Sequence, residues 1–245
     1  MKILKTIRKV IRNAISPVWL LDRRMDISTR KILSECVKKN SKWLDVGCGL
    51  KPFASSFNHA SYTGIDVEVS GRSEDLKKPD KFFDGVNIPY KDRQFDGILC
   101  TQVLEHVENL DSLLAECNRV LKTGGIFVVS VPFVYKEHEQ PHDFRRFTSF
   151  GLKQTFSRFF FHTTSSEKCL SAIETIATLF SVYVNNNIGV RNKFVLILTG
   201  CLITLPILVT SIFLSKILPD NRELFCVLVN HSVKIKNLKK IRETK

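Results

Sequence analysis

The sequence predicts an α/β fold, a doubly wound, mainly parallel sheet of seven strands with an apolar helical insert before the last strand. Three observations carry this. Trp43-Leu44-Asp45-Val46 is a short apolar run that breaks into Gly47-Cys48-Gly49-Leu50-Lys51-Pro52, a strand ending in a tight turn. A second strand, Tyr62 to Val67, follows about seventeen residues after Gly49 and carries Asp66 near its end. Ile126 to Val131 is apolar without alternation, as a central strand covered on both faces requires.

In chain order, Ile3, Leu4, Ile7, Val10, Ile11, Ala14 and Ile15 recur at helical spacing with Lys and Arg largely opposite. The resulting basic amphipathic helix has two uses, lying on anionic lipid or packing its apolar stripe on the domain. Ser16-Pro17 ends it, and Ile27 to Lys39 is expected to form the helix before the first strand. Glycines 47 and 49 let the backbone approach a ligand closely, and a helix start is expected beyond them, with Pro52 at a position that suits one. A fourth strand is predicted at Phe95 to Thr101 and a helix at Leu113 to Leu121, with Lys122-Thr123-Gly124-Gly125 between that helix and the strand from Ile126. A helix at Phe150 to Phe160 and a strand at Phe161 to Cys169 follow. Leu224 to Val229, continuing toward Ile235, reads as the seventh strand.

The glycine turn admits two nucleotide cofactors. A nicotinamide site usually needs G-x-G-x-x-G, and Pro52 stands where the third glycine belongs. The pattern of two apolar residues, Asp45, an apolar residue, Gly47 and Gly49, followed by Gly64-Ile65-Asp66, instead resembles the class I S-adenosylmethionine-dependent methyltransferases, with a type 11-like domain. Leu50-Lys51-Pro52 replaces the further glycine that many members carry. The resemblance implies a Rossmann-like methyltransferase fold and S-adenosylmethionine as cofactor. By the same resemblance Asp45, Gly47, Gly49 and Asp66 bind the cofactor, and Asp84 accepts from its adenine amino group. Gln102 and His106, in Gln102-Val103-Leu104-Glu105-His106-Val107, belong to the segment that lines the cofactor pocket. Asn87-Ile88-Pro89-Tyr90 precedes the fourth strand, the wrong place for a base-methylating motif, so no nucleic-acid substrate is expected.

Ligands in open parallel sheets bind beyond the carboxyl ends of the strands, which directs attention to the loop after Pro132. Tyr135 to Thr148 is dense in ionisable groups. His142 beside Asp143 reads as a general base with an orienting carboxylate, while His138, Arg145, Arg146 and Tyr135 are expected to bind substrate. The loop resembles one in bacterial methyltransferases of cell-surface glycan pathways. His138-Glu139-Gln140-Pro141-His142 also satisfies H-E-x-x-H, but Pro141 would break the helix those ligands need, and no metal is expected.

The chain has 245 residues and a formal net charge of +13. Residues 1–40 hold 11 Lys/Arg against 3 Asp/Glu and residues 221–245 hold 7 against 2, whereas the middle is balanced. Charge at the two ends suits an anionic membrane surface better than a nucleic-acid face, and solvated helix faces explain it equally well. Seven cysteines without C-x-x-C or regular spacing suit buried thiols in a reducing compartment. No secretory signal is expected, because basic residues interrupt the first helix.

Phe194 to Ser215 runs twenty-two residues without a charge, long enough to span a bilayer. Pro206 is expected to split it into two halves suited to a kinked, shallow or hairpin insertion. In the resembled fold the seventh strand returns to the domain's sheet, which favours a monotopic enzyme on the cytoplasmic face; a single span and a buried or dimer-forming helix pair are the alternatives. The expected organisation is thus an N-terminal helical region (1–40), a methyltransferase core (41–165), an apolar insert (166–222), and a last strand with a basic tail (223–245). The expected activity is O-methylation of a cell-surface glycan or lipid-linked saccharide. A quinone or lipid methyltransferase and a non-catalytic membrane scaffold are the alternatives, and the oligomeric state is left open.

Overall fold

A computed structural model describes residues 16–69, 77–188 and 192–238. The basic helix expected at Ile3 to Ile15 lies outside them. The chain divides into two compact units, one of residues 28–167 and 228–245, the other of residues 1–27 and 168–227.

The larger unit is built on the sheet. Its strands are β1 (Lys42–Val46), β2 (Ser61–Val67), β3 (Lys81–Phe83), β4 (Phe95–Thr101), β5 (Leu121–Pro132), β6 (Phe161–Cys169) and β7 (Val227–Lys234), in the order β3-β2-β1-β4-β5-β7-β6. Strands β1, β2, β3, β4 and β5 pair parallel wherever they are neighbours. The sheet as a whole is the seven-stranded, mainly parallel one that the sequence predicts. Helix α1 (Trp19–Cys36) begins among the residues of the smaller unit and ends among those of the larger, and α2 (Leu110–Val120) and α3 (Ser149–Arg158) belong to the larger. Asn109 caps α2 through Ser112 N–H, and Thr148 caps α3 through Gly151 N–H.

The core lies along the central strands, where Leu44, Ile65, Ile98, Leu99, Phe127 and Val128 are inaccessible to solvent. Phe127, Phe156 and Phe161 form a ring cluster with centroids 4.9–5.8 Å apart. Trp43 stands in register with Gly97 of β4, and a methyl group there would lie 2.5 Å from the indole. The bulky residue of one strand therefore requires the bare residue of the next.

Three expectations are corrected here. The first described helix begins at Trp19, eight residues before Ile27, because Trp19-Leu20-Leu21-Asp22-Arg23-Arg24 lacks any breaker and Pro17 stands just ahead of it. No α-helix starts after the glycine turn; only a 3-10 turn, Ala54–Phe57, fits between β1 and β2. Lys122 to Gly125 do not separate helix from strand but lie within β5. The pairing with β4 jumps from Phe95↔Leu121 to Gly97↔Ile126, so the extra residues bulge out of the ladder.

The smaller unit is largely helical, with α4 (Ala172–Asn187), α5 (Lys193–Thr199) and α6 (Leu205–Ile217). A capping box starts α4, Ser171 and Glu174 each bonding the other's backbone N–H. Arg24 pairs with Glu174 at 3.0 Å, and Ser215 donates to the same carboxylate. The apolar run does not split at Pro206. A π-helical turn, Gly200–Thr204, joins α5 to α6, with Leu205 N–H donating to Gly200 C=O. Proline lacks the donor for an α-turn and crowds the carbonyl four residues back, and the widened turn removes both conflicts. Phe194–Ile217 is consequently one helix of 24 residues, long and apolar enough to cross a membrane. Leu202 and Phe213 are about two-thirds exposed on it. Ile173, Ile176, Ala177 and Phe180 of α4 line an apolar groove with Pro206, Ile207 and Leu214.

Candidate active site

A cleft of about 680 Å³ in the larger unit opens at the carboxyl ends of β1, β2, β3 and β4. Gly47 after β1, Asp66 and Val67 of β2, Phe83 of β3 and Asp84-Gly85-Val86 form part of its wall. Val103, His106, Val107, Glu108 and Asn109, between β4 and α2, form another, completed by Leu113, Glu139 and His142.

The bend after β1 is fastened to β2. Gly47 N–H and Cys48 N–H both donate to Ile65 C=O, at 2.8 and 3.1 Å. Gly47 has φ +70°, and a methyl group on it would stand 2.3 Å from Val103 Cγ2. Only glycine fits both the left-handed backbone and the approach of Val103. Gly49 N–H donates to Asp66 Oδ2 at 2.9 Å, and Val67 N–H donates to Oδ1 at 2.8 Å. Each carboxylate oxygen keeps a second lone pair, so Asp66 retains two acceptor sites for vicinal hydroxyls. Apolar Val67, Phe83, Val86 and Val103 suit an adenine ring beside it. Glycine cradle, free lone pairs and apolar walls fit the adenosyl part of S-adenosylmethionine.

Not every expected cofactor residue faces the cleft. Asp45 is 1% exposed and accepts from the Tyr62 hydroxyl, while its Oδ1 is buried without a partner. Side chains alternate along a strand, which turns Asp45 into the sheet's packing and leaves the cleft to Gly47 beyond it; Gly49 is also absent from the lining and is tied to it through Asp66. Burial, opposed by the Tyr62 hydrogen bond, pushes its carboxyl up to about 7. Gln102 is likewise absent from the cleft lining; its Nε2 donates to Ser130 Oγ at 3.1 Å, and its own backbone is left-handed. Asp84 does line the cleft, but its carboxylate is partly engaged by its own turn, accepting from Val86 N–H, Asn87 N–H and Asn87 Nδ2. The Asn87 side chain and those amides hold it below the usual carboxylate range.

The loop after β5 is sewn onto the segment after β4. His106 Nδ1–H donates to His142 C=O at 2.6 Å, and Phe144 N–H donates to Glu105 C=O at 2.9 Å. Arg145 reaches across to Val107 C=O and Glu108 C=O. Asp143 is 2% exposed in its side chain and takes a bidentate pair from Arg146 at 2.6 and 2.8 Å, together with His138 N–H at 2.8 Å. The guanidinium of Arg146 holds the Asp143 carboxyl well below the usual range. Arg146 also donates to Tyr135 C=O and Lys136 C=O.

These bonds correct the expected roles. Asp143 orients His138, whose Nδ1 lies 3.2 Å from it, and is not the partner of His142. Arg145 and Arg146 spend their donors on backbone carbonyls and Asp143, because a loop without regular structure needs its carbonyls satisfied. Tyr135 and His138 stand edge to face at 5.4 Å, and neither lines the cleft. Within the loop, Glu139 and His142 are the residues that reach it. Sequence reasoning passed over Glu105, which is wholly buried with both carboxylate oxygens lacking a hydrogen-bond partner. Burial pushes it up to about 8.

The fold and cleft define a class I methyltransferase domain. The profile of a family described as a methyltransferase domain matches residues 21–172, and the chain belongs to that family; its cofactor is S-adenosylmethionine. Sterol 24-C-methyltransferase ERG6B of Gibberella zeae is 32% identical over 106 residues, covering 38% of this chain and 28% of that protein. Ubiquinone biosynthesis O-methyltransferase of Pseudomonas fluorescens is 28% identical over 126 residues, covering 46% and 48%. The chain thus spans less than half the length of these curated relatives. The [4+2]-cyclase SpnF superposes with a TM-score of 0.53 at 19% identity, over 84% of this chain and 80% of that one. Phosphoethanolamine N-methyltransferase 2 of Haemonchus contortus, in complex with S-adenosyl-L-methionine, gives 0.51 at 14% identity, over 85% and 52%. At those identities the structural likeness speaks for the fold alone.

Proposed function

We propose that the protein transfers a methyl group from S-adenosylmethionine to a hydroxyl of a glycan or lipid-linked saccharide at the cytoplasmic face of a membrane. The observation that carries this reading is the polar wall of the cleft. Glu108, Asn109, Glu139 and His142 stand together there beside the His106 ring, four side chains able to bond a hydroxyl-rich acceptor. When bound, the cofactor supplies an electrophilic methyl group. Asp66 holds the ribose hydroxyls, the bend at Gly47 and Gly49 lies under the methionine part, and Val67, Phe83 and Val86 sandwich the base. His142 takes the proton as the acceptor oxygen gains its methyl.

The apolar helix supports the membrane location. It lies in the chain between β6 and β7, and these strands are neighbours in one sheet. A single crossing would place them on opposite sides of the bilayer, so Phe194–Ile217 lies in the interface with its exposed face in lipid.

A quinone-type phenol is the second reading, favoured by the similarity to ubiquinone biosynthesis O-methyltransferase. Labelled cofactor offered with a lipid-linked glycan panel and, separately, with polyprenyl phenols distinguishes them. Label entering the glycan fraction supports the first; label entering the phenols alone overturns it.

A further inference from the structure

Behind the polar wall, Glu105, His106 and His138 each offer one ligand atom within 4.8 Å of the other two. Glu105 Oε1 lies 3.9 Å from His106 Nε2, and Glu139 Oε2 lies at the same distance from that nitrogen. The Nε2 of His106 is buried and has no hydrogen-bond partner, as are both oxygens of Glu105. Unpartnered polar atoms of this kind are destabilising when nothing meets them. Three of them converge on one spot.

The neighbours settle which nitrogen each ring presents. A carbonyl only accepts, so His106 Nδ1 carries its proton toward His142 C=O, leaving a lone pair on Nε2. His138 Nδ1 faces two acceptors, the Asp143 carboxylate at 3.2 Å and Lys136 C=O at 3.3 Å, and its free lone pair is also on Nε2. An imidazole held at Nδ1 by a carboxylate or carbonyl, with Nε2 bare, is the arrangement that precedes metal ligation.

We propose that Glu105, His106 and His138 form a divalent transition-metal site at the edge of the cleft. Two imidazoles and one carboxylate suit zinc, cobalt, manganese or iron and leave further positions open. Ligand atoms about 2.1 Å from one ion stand roughly 3.4 Å apart in a tetrahedral site, so a modest contraction closes the set. His106 also lines the cleft, and a cation on it would hold an acceptor hydroxyl and ease loss of its proton. The H-E-x-x-H pattern is not the basis: its second histidine contributes its carbonyl to the set, not its ring.

Calorimetric titration of the chelator-stripped 245-residue chain with zinc alone, and visible absorption with cobalt, test the site without any need for turnover. The expected result is one equivalent bound, with four- to five-coordinate cobalt bands, and affinity at least tenfold weaker in both His138→Ala and Glu105→Gln. S-adenosylmethionine affinity, measured on the same variants, reports whether each is folded. If Glu105→Gln fails that check, His138→Ala decides by itself. No stoichiometric binding, or binding unchanged in His138→Ala, overturns the proposal. The readout is independent of methyl transfer, so the proposed activity can fail while the site stands, and the reverse.

Discussion

Gly49 and Asp66 are joined by a 2.9 Å hydrogen bond from the glycine N–H to the carboxylate, which makes the bend after one strand and the acid ending the next a single element. The bend cannot move without moving the acid. Cofactor geometry is therefore written into the sheet register, since Val46 pairs with Ile65 immediately before these two groups.

Gly47→Ala tests the cradle. The added methyl meets Val103 Cγ2 at 2.3 Å in a backbone with φ +70°, and a loss of about 1–3 kcal/mol is expected. Thermal unfolding should shift down by several degrees and S-adenosylmethionine affinity should fall at least tenfold. A variant matching the parent in both would show that the turn is not a cofactor cradle.

His142→Ala tests the proton acceptor. Methyl transfer should fall by about a hundredfold or more while cofactor affinity stays within about threefold. Because Asp143 serves His138 and Arg146, Asp143→Asn should act mainly on loop stability, by about 2 kcal/mol in urea unfolding. Full turnover in His142→Ala would move the role to another group in the wall.

Asp45→Asn tests the buried carboxyl through pH. With a folded value of about 7 against roughly 4 in the unfolded chain, the folded state holds a proton that the unfolded state has lost between those values. Stability therefore declines as pH rises across that window, by up to about 4 kcal/mol. The asparagine variant, which does not titrate, should lose this slope and exceed the parent in urea unfolding at pH 8. Parallel profiles from pH 4 to 8 would contradict the assignment.

Leu202→Glu with Phe213→Glu tests the apolar helix. Both residues are exposed on it, and two charges there oppose burial in lipid. Co-sedimentation with anionic vesicles should drop at least tenfold with cofactor affinity unchanged. Equal sedimentation would show that this face does not meet the bilayer.

Most of the fold was legible because its signals are local. Trp43 to Gly49 and Phe95 to Thr101 declare themselves through apolar runs and glycines, and β4 and the largely polar β6 have the predicted ends. The site was legible where backbone makes it, at Gly47, Gly49 and Asp66. It was misread where side chains choose among partners. His142-Asp143 are adjacent in sequence, yet Arg146, three residues further along the loop, and His138 win the carboxylate; adjacency does not decide a contest of geometry and charge. Asp45 looked like a ligand because it precedes the bend, but the pleat turns it toward Tyr62. Pro206 signalled a break that a single π-turn absorbs, a tertiary adjustment with no sequence mark of its own.

The central claim is that the cleft around Gly47, Gly49 and Asp66 holds S-adenosylmethionine, and calorimetric titration with that compound and with S-adenosylhomocysteine tests it most directly. The account predicts one equivalent of each bound, weakened by about ten- to a hundredfold in Asp66→Ala through loss of the bonds to the ribose hydroxyls. Failure of the parent to bind either compound, or undiminished binding in a folded Asp66→Ala, would contradict it.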